Sequence, residues 1–144
     1  MSAKTFHLKV NTTTGILFED DVLQAELCSS TGYYTLLADH APVIGTLNTS
    51  ICYIRDQKNN RVKTIVNKGV FQFNENELNI FTDFFCFSDK ANEDIFKTRQ
   101  EKIDQILKQK SNDTVAYNLI QTELKENLSE LKKLANTLSA FKLL

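Results

Sequence analysis

Asp39 and His40 are adjacent residues whose types could support acid–base catalysis. A carboxylate that orients an imidazole is one way to build a general base. Adjacent residues in extended backbone point in opposite directions, however, and the cysteines lie elsewhere in the sequence. We therefore predict no catalytic residue here and interpret His40 as a structural or interface histidine.

The other acidic pairs and the glycines give no sign of an active site. Asp20-Asp21 and Glu93-Asp94 are typical of a turn and of a helix start, where negative charge near the helix N-terminus is stabilising. The four glycines form neither Gly-x-Gly-x-x-Gly nor Gly-x-x-x-x-Gly-Lys, the glycine patterns that bind nucleotide phosphates. We expect a protein that is not an enzyme and has no cofactor.

The three cysteines, Cys28, Cys52 and Cys86, are an odd number, and none belongs to a Cys-x-x-Cys spacing. This pattern disfavours both a disulfide framework and a zinc site. All three fall in apparent strands, which favours buried, reduced thiols. We predict no metal site and a reducing, cytosolic compartment.

The overall charge is balanced, with 17 Lys and Arg against 18 Asp and Glu, which gives a formal net charge of -1. No overall field therefore favours nucleic acid or an anionic membrane. The first ten residues lack the apolar run of a signal peptide, and no segment approaches the ~20 apolar residues of a membrane span. We expect a soluble chain that binds no nucleic acid and does not insert into a membrane.

The elements that would position any surface site begin with the stretch from Gly32 to Leu47, which contains Pro42, the only proline in the chain. A strand cannot run straight through Pro42, because proline lacks an N–H and biases the preceding residue toward extended backbone. Asp39 favours a turn at Asp39-His40. The stretch is either a simple loop between two strands or a shaped surface for a partner.

Alternating apolar residues predict strands through the first 87 residues. Phe6, Leu8 and Val10 alternate with His7 and Lys9, which places His7 away from the core. The acidic run 19–21 is expected to break the strand that begins near residue 16, and Gly69 is expected to adopt a positive φ in a tight turn. Because turn signals recur about every 8 to 12 residues, we predict an antiparallel β-sandwich or barrel.

Helical periodicity replaces strand alternation from Ser88 onward. Ser88 or Asp89 can cap a first helix that ends near Lys110, and a second runs from Thr114 to about residue 140. The apolar stripes of the two helices are Ile95, Ile103, Ile106 and Leu107, and Tyr117, Ile120, Leu124, Leu128, Leu131, Ala135 and Leu138. Since the turn at 111–113 is short, the stripes would pack together in a two-helix antiparallel hairpin. Such a hairpin is marginally held unless it docks, so a helical tail with more than one resting place is plausible.

Several motifs, taken in order, resemble the epsilon subunit of F-type ATP synthases, called delta in mitochondria. Phe6-His7-Leu8 resembles the opening strand of the family, and Gly15 with Phe18 and Val22 is similar to its Gly-x-x-Phe-x-Gly-x-Val. His40-Ala41-Pro42 resembles the end of Gly-x-x-Gly-Ile-x-Pro-Gly-His-Ala-Pro-Leu. The remaining matches are Gly69-Val70-Phe71 to Gly-Gly-Phe, residues 78–83 to Val-x-Ile-Leu-Ala-Asp, and Glu123-Leu124 and Leu131-Lys132 to the second helix of bacterial members.

The resemblance implies an α+β fold, with a β-sandwich over residues 1–87 and a helical hairpin over 88–144. It implies a non-catalytic central-stalk subunit that binds the gamma subunit, and a membrane c-ring, through the sandwich. The partner-binding residues would be Tyr33, Tyr34, Thr35, His40, Ala41 and Pro42. In bacterial relatives the hairpin can extend along gamma and inhibit ATP hydrolysis. Contacts to the alpha and beta subunits would come from Arg99, Lys125, Lys132 and Lys133.

Departures from the family pattern keep alternatives open. Thr35, Ala38 and Asp39 replace the usual Gly, Pro and Gly, and Tyr33 replaces a residue that is commonly acidic or polar in the ring-facing loop. Residues 95–100 keep the Ile and Arg of the ATP-binding Ile-Asp-x-x-Arg-Ala of some relatives but lose the Asp and Ala, so we expect no nucleotide site. The chain would lie on the cytoplasmic face of the cell membrane as part of the complex. The alternatives are an F-type-like motor without a membrane ring and a free-standing protein-binding adaptor.

Overall fold

The computed structural model describes residues 4–88, 93–109 and 114–142, which form ten strands and two helices. The strands are β1 (Phe6–Thr12), β2 (Gly15–Val22), β3 (Gln24–Ser29), β4 (Gly32–Leu37), β5 (Val43–Leu47), β6 (Ser50–Arg55), β7 (Arg61–Val66), β8 (Gly69–Asn74), β9 (Glu77–Thr82) and β10 (Phe85–Phe87). The helices are α1 (Glu93–Gln109) and α2 (Thr114–Lys142). Residues 1–88 and 89–144 are two separate compact units. The predicted sandwich followed by two helices is confirmed.

The strands form two five-stranded sheets. Sheet A has the order β2-β1-β9-β8-β5, and sheet B has the order β10-β7-β6-β3-β4. Neighbouring strands are antiparallel except β1 and β9, which pair in parallel. The first and ninth strands therefore lie side by side within sheet A, so the N-terminal strand of the sandwich pairs with one of its last strands.

The core lies between the inner faces of the two sheets. The expected alternation in β1 is confirmed, since Phe6, Leu8 and Val10 are buried while His7 and Lys9 are half-buried on the outer face. Phe6 meets Phe73 of β8 edge to face, with ring centroids 5.3 Å apart. Each such buried aromatic contributes about 1.5–3 kcal/mol relative to an exposed side chain, so the sheets are held mainly by this inner layer.

Strand β2 is continuous, and the expected break at residues 19–21 is wrong. Glu19 lies opposite Lys9, and Asp21 lies opposite His7. β2 is an edge strand whose side chains are mostly exposed, so acidic residues are tolerated on it. The backbone pairing with β1 maintains the strand where the residue types predicted a turn.

Gly69 does not have the positive φ that its turn-like sequence predicted. In the part of the chain that the structure describes, the positive-φ glycines are Gly15 and Gly32. Gly69 is required for a different reason, because a Cβ there would collide with the backbone carbonyl oxygen of Phe81 on the neighbouring strand.

The two helices pack against each other. Ile103 and Leu107 of α1 and Leu128, Leu131 and Ala135 of α2 are buried as predicted. Phe96, which the sequence analysis did not include, is also buried, whereas Ile106 is exposed. The predicted capping residue Asp89, the turn at 111–113, Lys110, and the side chains of Tyr117, Ile120 and Leu138 lie outside the described residues.

Arg99 and Asn127 join the helices through a hydrogen bond of 3.1 Å from Nη2 of Arg99 to Oδ1 of Asn127. Both residues are 14 positions from residue 113 in the connection, so α2 must return alongside α1. At 29 residues, α2 extends about 44 Å, against about 26 Å for the 17 residues of α1.

Candidate functional site

The turn between β4 and β5 is the most distinctive surface feature of the sandwich. The amide of His40 donates to the carbonyl oxygen of Leu37 across 3.1 Å, which closes the turn after β4. Asp39 has a φ of 66°, in the left-handed region that residues other than glycine adopt at a cost. Pro42 follows immediately before β5. Residues 38–42 thus carry the chain from β4 in sheet B to β5 in sheet A.

Asn76 holds Asp39 in this conformation. The amide of Asp39 donates to Oδ1 of Asn76 across 2.6 Å, and Nδ2 of Asn76 donates to Oδ1 of Asp39 across 3.1 Å. Asn76 itself has a φ of 60° in the turn between β8 and β9. Lys4 pairs with the other carboxylate oxygen of Asp39. These bonds hold a residue other than glycine in the left-handed conformation.

His40 has no catalytic arrangement with Asp39, because the Asp39 carboxylate is engaged by Lys4 and Asn76. Nδ1 of His40 lies 2.7 Å from the carbonyl oxygen of Ala41, which accepts its hydrogen bond. The imidazole meets the ring of Phe73 edge to face, with centroids 5.8 Å apart. His40 is therefore an exposed histidine in a fixed position.

The six residues predicted to bind partners fall into three groups. His40, Ala41 and Pro42 are exposed together beside β5 of sheet A. Tyr33 and Thr35 are exposed on β4, on the outer face of sheet B, and Tyr33 is 76% accessible. Tyr34 points inward, and its ring packs edge to face on Phe71, with centroids 5.6 Å apart. It is a packing residue of the sandwich.

An apolar surface on the outer face of sheet A was not predicted from the sequence. Its members are Ile44 on β5, Val70 on β8, Phe81 on β9 and Ile16 on β2, which are 74%, 47%, 45% and 54% accessible. Val70 and Phe81 are directly opposite each other, and Asn11 lies between Phe81 and Ile16. We call these four residues the sheet A patch. The signal that could have found it was the pairs of consecutive apolar residues Val70-Phe71 and Ile80-Phe81, because neighbours in a strand point to opposite faces of the sheet.

The sheet A patch adjoins the exposed turn. Ile44 is two residues beyond Pro42, and β5 is the edge of sheet A. Contiguous exposed apolar surface on a soluble protein commonly marks an interaction site. The turn and the patch together offer a partner both a fixed loop and an apolar sheet face.

The predicted regulatory residues differ in their surroundings. Lys125, Lys132 and Lys133 are exposed on α2. Arg99 is half-buried and bonded to Asn127 in the seam between the helices. The three lysines are accessible in this arrangement, whereas Arg99 already has a role inside the hairpin.

The cysteines lie in strands β3, β6 and β10, as predicted, and all three are free thiols. Burial raises the pKa of Cys52 to about 11, so this thiol is neutral at physiological pH and a poor nucleophile. Within the described residues, no three His, Cys, Asp or Glu side chains could hold a metal ion. Among the helical residues described, none form a segment long and apolar enough to cross a bilayer.

The profile of the ATP synthase delta/epsilon chain β-sandwich domain matches residues 5–87. This chain belongs to the ATP synthase delta/epsilon family. The family inferred from the motifs is thereby confirmed, and the matched range covers all ten strands of the sandwich.

Individual delta/epsilon family members are similar over most of the chain. The ATP synthase epsilon chain of Ureaplasma parvum serovar 3 is 28% identical over 125 residues, which cover 86% of this chain and 91% of the relative. The ATP synthase epsilon chain of Mycoplasma genitalium is 28% identical over 134 residues, which cover 90% of this chain and 99% of the relative. The similarity therefore extends beyond the sandwich into the helices.

Two solved assemblies contain chains of similar fold. One is the Euglena gracilis mitochondrial ATP synthase OSCP/F1/c-ring, with a TM-score of 0.62, 12% identity, and coverage of 92% of this chain and 80% of that chain. The other is the central stalk/c-ring of the Tetrahymena thermophila mitochondrial ATP synthase, with a TM-score of 0.54, 13% identity, and coverage of 94% and 99%. At these identities the likeness concerns the fold alone.

Proposed function

We propose that this chain is the epsilon subunit in the central stalk of an F-type rotary ATPase. It is a non-catalytic rotor component that binds the gamma subunit through its sandwich and restrains ATP hydrolysis through its C-terminal helices. The observation that carries the proposal is the family match over residues 5–87, continued by two helices in a chain that aligns with 99% of the M. genitalium epsilon chain. In this role the chain is a peripheral subunit on the cytoplasmic face of the membrane.

The surface that we assign to gamma consists of His40, Ala41 and Pro42 with the sheet A patch. The turn is held by Asn76 and Lys4, so little conformational entropy is lost when a partner binds it. Ile44, Val70 and Phe81 supply exposed apolar area, which stabilises a complex when it is buried.

Tyr33 and Thr35 lie on sheet B and would therefore meet a different partner or a different part of gamma. In a synthase this partner would be the c-ring. The exposed, uncharged ring of Tyr33 also supports the second candidate, a rotary ATPase without a membrane ring, because family members commonly have an acidic or polar residue there. The two candidates share the gamma contact and differ in the ring.

In this proposal the helices of the hairpin change position when they restrain hydrolysis. Such a change would break the hydrogen bond between Arg99 and Asn127 and expose Leu128 and Leu131 to a new partner. Lys125, Lys132 and Lys133 would then contact acidic groups on the alpha and beta subunits, since they are accessible and cationic. Arg99 would join them after leaving the seam.

Affinity purification of the tagged native protein tests the assignment. We expect alpha, beta and gamma subunits to co-purify with ATPase activity, and a c-ring to accompany them if the complex is a synthase. Recovery of the catalytic head without a ring would favour the ring-free motor. Recovery of neither would reject the proposal and leave a free-standing adaptor.

A separate experiment tests the regulatory role. Removal of residues 89–144 should raise ATP hydrolysis by the assembled complex, and the Lys125→Ala/Lys132→Ala/Lys133→Ala variant should raise it in the same direction. The matched control is Lys97→Ala/Lys102→Ala, which removes exposed positive charge from α1. Unchanged hydrolysis after the truncation would reject the inhibitory role of the helices. It would not contradict the proposal that the sandwich binds gamma.

A further inference from the structure

His7 lies on the outer face of sheet A, between edge strand β2 and the inner strand β9. Its Nδ1 is 2.8 Å from Oδ1 of Asp21, and its Nε2 is 3.2 Å from Oε1 of Glu19. Both carboxylates belong to β2, where Asp21 lies directly opposite His7. A single imidazole thus bridges two side chains of the neighbouring strand.

The charge around His7 is mainly acidic. Besides Glu19 and Asp21 on β2, Glu77 lies opposite His7 on β9, and Lys9, two residues along β1, lies opposite Glu19. The hydrogen bond with Asp21 is the main reason that the pKa of His7 is raised above 6.5. Burial opposes this increase, and Glu19 adds to it.

The geometry requires a charged ring for both bonds. Only the imidazolium carries a proton on each nitrogen, so a neutral ring can donate to one of the two carboxylates and not to both. The two carboxylates also face different nitrogens, so they do not converge on one point where a metal ion could bind both of them and the ring. The arrangement therefore favours the binding of a proton by the imidazole over the binding of a metal ion.

On its inner face strand β2 is attached through Phe18, whose ring packs against two phenylalanines of β10, whereas its outer face has few side-chain attachments. Val22 is its buried residue, Phe18 is half-buried, and the rest of the strand is exposed. Gln57 donates to the carbonyl oxygen of Asp21 across 3.1 Å. Apart from the backbone ladder with β1, the attachment of β2 on the outer face depends largely on the bonds to His7.

We propose that His7 is a proton-dependent clamp, which fastens edge strand β2 to sheet A while the imidazole is charged and loosens it when the ring loses its proton. The pKa of His7 is raised in the folded state, so the stabilisation is complete below the unfolded-state value of 6.5 and is lost as the pH rises through the higher folded-state value. The clamp therefore opens as the pH rises through the folded-state pKa of His7, which lies above 6.5. The proposal does not depend on the partner of the chain.

Hydrogen exchange of the full chain measures the clamp directly. After correction for intrinsic exchange, protection of the β2 amides should fall by about two- to fivefold between about pH 5 and about pH 8, the range that an exposed ion pair produces. In the His7→Gln variant the β2 amides should have low protection at both pH values. In His40→Gln their protection should depend on pH as in the wild type. Amides of β6 should show no such change. High salt should reduce the wild-type effect, because these side chains are partly exposed.

The histidine titration provides a second test that does not depend on hydrogen exchange. The chain has two histidines, so its NMR spectrum has two imidazole signals, and His40→Gln assigns them. We expect a His7 midpoint above 6.5 that falls in Asp21→Asn. A midpoint at or below 6.5, or β2 protection that is independent of pH in the wild type, would overturn the proposal.

Discussion

Asn76 is the residue whose substitution tests how the turn at residues 38–42 is held. Asn76→Gly removes both hydrogen bonds to Asp39 while allowing the φ of 60°. Each exposed hydrogen bond contributes about 0.5–1 kcal/mol, so we expect a loss of about 1–2 kcal/mol in the free energy of unfolding. The added entropy that glycine gives the unfolded chain roughly offsets the relief of backbone strain.

Asn76→Ala should cost more than Asn76→Gly. Alanine loses the same two bonds and must also hold a left-handed conformation at a cost of about 1 kcal/mol, so the expected loss is about 2–3 kcal/mol. For a domain of this size each kcal/mol lowers Tm by about 4–8 °C. Both variants should also weaken the proposed binding to gamma, because the exposed residues His40, Ala41 and Pro42 follow the turn that Asn76 holds.

Urea unfolding followed by tyrosine fluorescence is a suitable assay, because three of the four tyrosines, Tyr33, Tyr34 and Tyr53, lie in the sandwich. Asn74→Ala is the matched control in the same turn region, and it should change stability by less than about 0.5 kcal/mol. Equal stability of Asn76→Gly, Asn76→Ala and the wild type would refute the role assigned to these bonds.

Three further predictions concern other parts of the chain. Gly69→Ala should destabilise the sandwich by about 1–3 kcal/mol in urea unfolding, since β8 and β9 must separate to admit the methyl group; a neutral effect would contradict the close approach to Phe81. Leu131→Ala should cost the helical hairpin about 2–5 kcal/mol and lower its melting temperature by circular dichroism, whereas Lys132→Ala should not, and equal melting curves would exclude Leu131 from the seam. Because burial raises the pKa of Cys52 to about 11, iodoacetamide at about pH 8 should alkylate it at least tenfold more slowly in the native protein than in urea, and equal rates would exclude a buried, neutral thiol.

The residue patterns predicted the sandwich and the helices well, because alternation and helical stripes are local signals. Phe6, Leu8 and Val10 face the core as their spacing indicated, and Leu128 and Leu131 lie in the helical seam. The parallel pairing of β1 with β9 has no local signal, since alternation says nothing about the direction of a neighbour. Likewise, the run of acidic residues in β2 is typical of a turn. Only the pairing of β2 with β1 at the edge of sheet A shows that the strand continues through these residues.

The surface was less predictable than the core. Partner binding by Tyr34 stays a prediction, whereas its packing on Phe71 could not be predicted because it depends on which face of β4 turns inward. Asp39 has a positive φ, and only the fold brings Asn76 to it from 37 positions away. The sheet A patch consists of residues from four strands, so it exists only after those strands are paired.

The most direct test of the central claim is the affinity between the purified chain and the gamma-like subunit with which it is proposed to assemble. Isothermal titration should give a one-to-one complex for the wild type and for a chain that ends at Ser88. Phe81→Asp should weaken binding at least tenfold, the loss expected when a buried contact worth about 1.4 kcal/mol or more is removed. Lys9→Asp, on the same sheet face, is the control that introduces a negative charge without removing an apolar side chain. Absence of any complex with wild-type protein would contradict the account.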